Sequence, residues 1–161
     1  MSTDQNTKTK LGIIGLGGRG RSLLRNLLEM ENVEIVALSD LYEDRLQMGI
    51  DQVVEAGQDA PSGYKDYSRL LEHDEIEGVI ISTNWTSHIQ IAIKVMKAGK
   101  YAGIEVGGAT SVQQCWDLVR TSEETGMPCM ILANCCYGRR EMTVLNMVQQ
   151  GLFGEIIHCQ C

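Results

Sequence analysis

The residues best suited to chemistry lie in short stretches, and the first is Gly15-Leu16-Gly17-Gly18-Arg19-Gly20. It has the spacing G-x-G-x-x-G, behind a short apolar run and ahead of leucines at helical spacing. In that setting Gly15 permits a tight turn and Gly17 clears the space where a diphosphate meets backbone N–H groups. Gly20 lets the helix pack close to its strand, while Gly18 and Arg19 stand near a helix N-terminus that faces an anion. Asp40 follows 40 − 15 = 25 residues after the first glycine, near the roughly 20 expected for an acid that accepts from ribose hydroxyls. A carboxylate there repels a 2′-phosphate, which favours NAD over NADP. The competing reading makes Asp40 a cap of the next helix.

Other candidates close later apolar runs. In Thr83-Asn84-Trp85-Thr86-Ser87-His88, Trp85 could cover a flat ring and His88 could hydrogen-bond a ribose or a backbone group. An interior tryptophan and a helix-start histidine are equally common as structure, so both readings stand. Glu105-Val106 and Asn134 also end apolar runs, as loop starts or as ligand contacts, and periodicity does not choose between them. Arg139-Arg140 opens the last helix, where a cation opposes the helix dipole, and reads as surface. No residue is assigned a catalytic role.

These stretches need a scaffold that brings them to one edge. Apolar runs at 11–14, 33–39, 79–82, 101–106 and 129–133 alternate with amphipathic segments, the pattern of parallel strands joined by helices. A weaker strand is expected within 63–67. Leu23, Leu24, Leu27 and Leu28 recur at helical spacing, as do Val112, Cys115, Trp116 and Val119, and both sets predict core-facing stripes. Gly57, Gly99, Gly126 and Gly151 each follow a helical segment and predict left-handed helix ends. The expected fold class is α/β, a doubly wound parallel sheet of about six strands in a single domain, with ligands beyond the strand carboxyl ends. Residues 1–10 read as a flexible polar tail, 11–153 as the dinucleotide-binding domain, and 154–161 as the first strand of a further, substrate-holding domain.

Composition excludes several alternatives. The 161 residues carry 43% hydrophobic and 22% charged side chains, a globular balance with room for one core. A net charge of −7 opposes the phosphate contacts that nucleic acid or an anionic membrane requires. No apolar run approaches the length of a membrane span. The six cysteines crowd the last third and read as reduced, buried thiols of a cytoplasmic protein. Their spacings do not match a zinc site, so no metal is expected.

With these residues in view, the chain from about Leu11 onward resembles the cofactor domain of the Gfo/Idh/MocA family of sugar-acting, NAD(P)-dependent proteins. More narrowly, Gly17-Gly18-Arg19-Gly20, Trp85-x-x-His88, Glu105-Val106 and the run from Asn134-Cys135-Cys136-Tyr137-Gly138-Arg139 to Gly154-Glu155-Ile156 resemble glycoside hydrolase family 109. The resemblance implies that Arg19 and Gly20 touch the dinucleotide and that Asp40 holds the adenosine ribose. It implies that Asn84 through His88 and Glu105-Val106 lie on the nicotinamide side, with Asn134 near the nicotinamide ribose. Dehydrogenases of the wider family carry Glu-Lys-Pro, with the lysine moving a proton, where this chain has Glu105-Val106-Gly107. That departure fits the glycosidase branch, in which hydride leaves sugar C3 for NAD, the acidified C2 proton leaves, the glycosidic oxygen is eliminated, water adds, and hydride returns. The branch carries glutamate where this chain has Ala133. Two other expectations compete: an NAD-dependent sugar oxidoreductase, and a stand-alone nucleotide-binding or regulatory module that pairs with itself, as a homo-oligomer, or with another chain through Ile156-Ile157.

Overall fold

Nearly continuous runs of Val, Ile and Leu suit strands covered on both faces, and they form the centre of this molecule. The computed structural model describes residues 8–158. The strands are β1 (Thr9–Ile14), β2 (Val33–Ser39), β3 (Ser62–Tyr64), β4 (Gly78–Ile81), β5 (Tyr101–Ile104) and β6 (Cys129–Ile131). The helices are α1 (Gly18–Leu28), α2 (Glu43–Glu55), α3 (Tyr67–Leu71), α4 (His88–Lys97), α5 (Val112–Thr125) and α6 (Arg139–Gln149), with a 3-10 turn at Cys135–Tyr137. All strand pairs are parallel, in the order β3-β2-β1-β4-β5-β6. This is the doubly wound α/β sheet that the alternating pattern predicts.

Side-chain alternation divides the core between the two faces of the sheet. Ile13, Leu16, Ile35 and Leu38 pack with Leu24 of α1 and with Leu46 and Val53 of α2. Ile14, Val79, Ile81 and Ile104 pack with Ile89, Ala92, Val95 and Met96 of α4. Fully burying such a side chain contributes about 1.5–3 kcal/mol, so the two layers hold the β1 and β4 ends rigidly in register. The glycines at helix ends behave as expected: Gly57, Gly99, Gly126 and Gly151 have φ of 84°, 73°, 71° and 70°.

The first strand begins at Thr9, inside the stretch expected to be a loose tail. Thr9 N donates to Asn32 O at 2.8 Å and Lys10 N to Glu77 Oε1 at 3.0 Å, and two extra ladder positions outweigh the polar composition. Strands β5 and β6 stop earlier than their apolar runs. Glu105 and Val106 instead begin a loop, although Glu105 N still donates to Ile81 O at 2.9 Å. Residues 154–158 contain no strand, and 159–161 lie outside the described residues.

The α5 stripe is the main correction. Cys115 is exposed, and so are Val112, Trp116 and Val119 at 74%, 55% and 44%. The inward side carries Leu118, packed against the core that α4 shares with the sheet, and the buried Thr121 instead. Thr121 Oγ1 donates to Asp117 O and Thr125 Oγ1 to Thr121 O, both at 2.7 Å, so these hydroxyls enter the interior already paired. Periodicity identifies an apolar face but not what covers it. The buried-thiol expectation also fails for Cys115, Cys135 and Cys136, which are exposed. Cys129 is half-buried, the only one of the described cysteines that is not exposed, and burial pushes its thiol up to about 11; Cys159 and Cys161 lie outside the described residues.

Candidate functional site

The carboxyl ends of β1, β2, β4 and β5 meet at the sheet's topological switch point, because β1 lies between β2 and β4. Gly15 leaves β1 with φ of 93°, and a methyl there would meet the backbone of Ser82 at 2.8 Å. Ser82 Oγ donates to Gly15 O at 2.7 Å, and Ser82 N to Ile14 O at 2.9 Å. A methyl on Gly20 would run into Gly15 O. Both glycines are therefore required by close approach, and the turn between them is fixed by β4.

The outer side of this turn is open. A Cβ at Gly18 would meet nothing within 4 Å, and one at Gly17 only Arg45 Nη1 at 3.9 Å. Gly17 is the N-cap of α1, where no side chain caps the helix and no acidic residue occupies the first turn. The unpaired first-turn amides thus face open space with the positive end of an 11-residue helix behind them. This arrangement fits an anion such as a diphosphate.

Asp40 is 8% exposed. Its Oδ2 accepts from Leu16 N at 2.6 Å and its Oδ1 from Tyr42 N at 2.9 Å. The carboxylate therefore braces the glycine turn against the end of β2. The α2 N-cap is Tyr42, with no side-chain cap, so the role of Asp40 is wider than helix capping. Each oxygen keeps a further lone pair, and a ribose at this corner would meet a carboxylate already aligned by two amides.

On the far side of β4, Asn84 Oδ1 accepts from Thr86 Oγ1 at 2.8 Å and Ser87 N at 3.1 Å, and Ser87 Oγ lies 2.7 Å from Thr83 Oγ1. These polar side chains build the turn themselves. His88 takes the backbone alternative: it is 1% exposed, and its Nε2 lies 3.1 Å from Thr83 O. Trp85 is 67% exposed. Its indole lies against Gly107, where an added methyl would meet Trp85 Cε2 at 2.6 Å.

Glu105 Oε1 accepts from Arg19 Nε at 2.9 Å and Nη2 at 2.8 Å, and Glu105 Oε2 from Val106 N at 3.2 Å. This ion pair links the loop after β1 to the loop after β5. Val106 is 51% exposed. Asn134 is exposed before the 3-10 turn, with Cys135 Sγ at 3.9 Å from its Oδ1; no hydrogen bond joins it to the other candidates. Ser82 and Arg45 belong to the edge but escape sequence reasoning. Their side chains come near the glycine turn only through the β1–β4 pairing and the first turn of α2.

Known proteins resemble this chain in sequence and in fold. The profile of the Gfo/Idh/MocA oxidoreductase family, described as having an NAD-binding Rossmann fold, matches residues 9–132. A glycosyl hydrolase family 109 protein of Solibacter usitatus is 40% identical over 98% of this chain and 37% of its own length. An alpha-N-acetylgalactosaminidase of Bacteroides fragilis is 44% identical over 94% of the chain and 36% of its own. The chain thus spans about a third of the length of these curated relatives. Among solved structures, myo-inositol 2-dehydrogenase of Lactobacillus plantarum is 20% identical with a TM-score of 0.83, covering 94% of this chain and 44% of that one. Scyllo-inositol dehydrogenase of Lactobacillus casei, solved with NAD(H) and scyllo-inositol, is 18% identical with a TM-score of 0.84, covering 93% and 43%. These last two establish the fold.

Proposed function

Because this chain belongs to the Gfo/Idh/MocA oxidoreductase family, with its NAD-binding Rossmann fold, we propose that it forms the cofactor-holding part of an NAD-dependent glycosidase. The observation that carries the reading is the open α1 N-terminus at Gly17 and Gly18, held in place by Gly15, Ser82 and Asp40. Gly17, Gly18, Arg19 and Gly20 would hold the diphosphate, and Asp40 the adenosine ribose. Trp85, with the Asn84–Thr86–Ser87 turn, and Glu105-Val106 would border the nicotinamide side, and Asn134 its ribose. His88 acts there by fixing the turn through Thr83 O. NAD, when bound, supplies a reversible hydride acceptor beside a sugar.

Gly107 supports the glycosidase over a dehydrogenase. Its φ of 90° is closed to proline, whose ring fixes φ near −65°, and Trp85 fills the space a side chain would need. A Glu-Lys-Pro loop therefore has no place in this backbone, and Val106 stands where its lysine would be. The 44% identity to an alpha-N-acetylgalactosaminidase points the same way. Residues beyond the third of the relatives' length that this chain matches would hold the sugar.

Calorimetry with NAD+ and NADP+ tests the cofactor reading: saturable heat with NAD+, and weaker binding of NADP+, are expected. An absence of heat with NAD+ would end it. Incubation with NAD+ and a free sugar tests the branch, since a dehydrogenase accumulates NADH and a glycosidase does not.

A further inference from the structure

Arg45 sits in the first turn of α2, where a cation opposes the helix dipole. It is exposed, and its guanidinium lies over the Tyr42 ring, with Cζ 4.5 Å from the ring centroid. That stacking is worth about 0.5–1 kcal/mol at an exposed site and gives the planar group a defined direction. The direction is towards the glycine turn: Nη1 lies 3.9 Å from the position a Cβ would take on Gly17. Among the described residues no carboxylate pairs with it and no hydrogen bond uses its donors. The neighbouring cations are engaged differently, Arg19 with Glu105 and Arg21 with Met48 Sδ at 3.1 Å. The nearby acids do not quench Arg45 either, since Glu43 pairs with Lys65 at 2.6 Å and Asp40 accepts from backbone amides.

We propose that Arg45 closes the diphosphate seat from the adenosine side, its guanidinium bonding the phosphate oxygens held over Gly17 and Gly18. This rests on the dinucleotide reading of the glycine turn. It assigns the chain a binding residue outside the G-x-G-x-x-G motif and gives the Tyr42–Arg45 stack a purpose, which is to present the fork-shaped guanidinium edge-on to an anion. Arginine suits this place better than lysine because its planar fork matches two phosphate oxygens at once.

Titration calorimetry on the whole chain, wild type and Arg45→Gln, with NAD+, ADP and NADP+ as probes, tests the assignment. Far-UV circular dichroism is expected to be unchanged, because the side chain is exposed. Arg45→Gln should weaken NAD+ and ADP by the same factor, roughly 10- to 100-fold for a lost charge-assisted contact, and should flatten the dependence of binding on ionic strength. Arg45→Lys should recover part of the loss. NAD+ binding by Arg45→Gln within twofold of wild type would overturn the proposal and leave the glycine-turn reading intact. A loss confined to NADP+ would overturn it too, by placing the guanidinium at the ribose 2′ position. No heat from wild type with NAD+ would remove this proposal together with the reading it rests on.

Discussion

Helices α4 and α6 are similar in length and differ in what covers them. Over its 10 residues α4 buries Ile89, Ile91, Ala92, Val95 and Met96 against β1, β4 and β5, whereas no residue of the 11-residue α6 is buried. Met142, Val144, Leu145 and Val148 of α6 are exposed at 36–51%, and Trp116 and Val119 of α5 are likewise uncovered. The contrast separates two conditions for a stable element. An amphipathic sequence states that a helix has a face to bury, and the rest of the fold decides whether that face meets a partner. The candidate cofactor edge at the ends of β1, β2 and β4 falls in the part where both conditions hold, whereas Asn134 follows the largely exposed β6.

The largest effect that sharpens this comparison comes from truncating each core. Leu24, fully buried between α1 and the sheet, should lose about 2–5 kcal/mol on substitution by alanine. Leu145→Ala should stay within about 0.5 kcal/mol. Urea unfolding of both variants checks this, and equal losses would show that α6 is packed in solution.

Next in size is Asp40→Ala, which leaves the amides of Leu16 and Tyr42 without their acceptor. A loss of about 1.5–3 kcal/mol in unfolding free energy is expected, together with weaker NAD+ binding. Weakened binding at unchanged stability would show that the carboxylate meets the ligand without bracing the turn.

Gly107→Ala should cost about 1–2 kcal/mol for a side chain in the left-handed region and should shift the tryptophan fluorescence by displacing Trp85. The same substitution at Gly18, where a methyl meets nothing, should leave that fluorescence unchanged. An unaltered spectrum in Gly107→Ala would mean that the indole does not rest on the loop after β5.

The smallest effect concerns the thiols. Burial holds the Cys129 thiol up at about 11 against its ordinary 9.0, so its protonated form persists in the folded protein well past neutral pH. Its pKa is raised on folding, so its contribution is constant below pH ~9 and stability declines as pH rises from there through about 11. Alkylation mapped by mass spectrometry near pH 8 should mark Cys115, Cys135 and Cys136 first, with Cys129 lagging. Equal rates would show that the core does not shield Cys129.

The comparison also explains what could be read from the residues alone. β2 and the glycine helix ends are legible because each is decided locally, by apolar continuity or by φ, and the Gly15–Gly20 turn is legible because its spacing is itself the geometry. The α5 stripe of Val112, Trp116 and Val119 misleads because its expected cover lies outside its own sequence, and the threonines that do face inward hide their hydroxyls in helix carbonyls. Asp40 is legible as a strand-end acid but not as a brace, since Leu16 reaches it only through the β1–β2 pairing. Ser82 and Arg45 give no signal, because nothing in their neighbours' identities sets them beside Gly15, 67 residues earlier, or Gly17, 28 residues earlier.

The central claim is that the α1 amides at the glycine turn receive the diphosphate, and backbone amide resonances read this directly during a titration with NAD+. The amides of Gly17, Gly18 and Arg19 should move saturably with one shared dissociation constant, while Leu16, already donating to Asp40, should move least within the turn. Resonances of the turn that stay fixed while NAD+ saturates the protein would contradict the account.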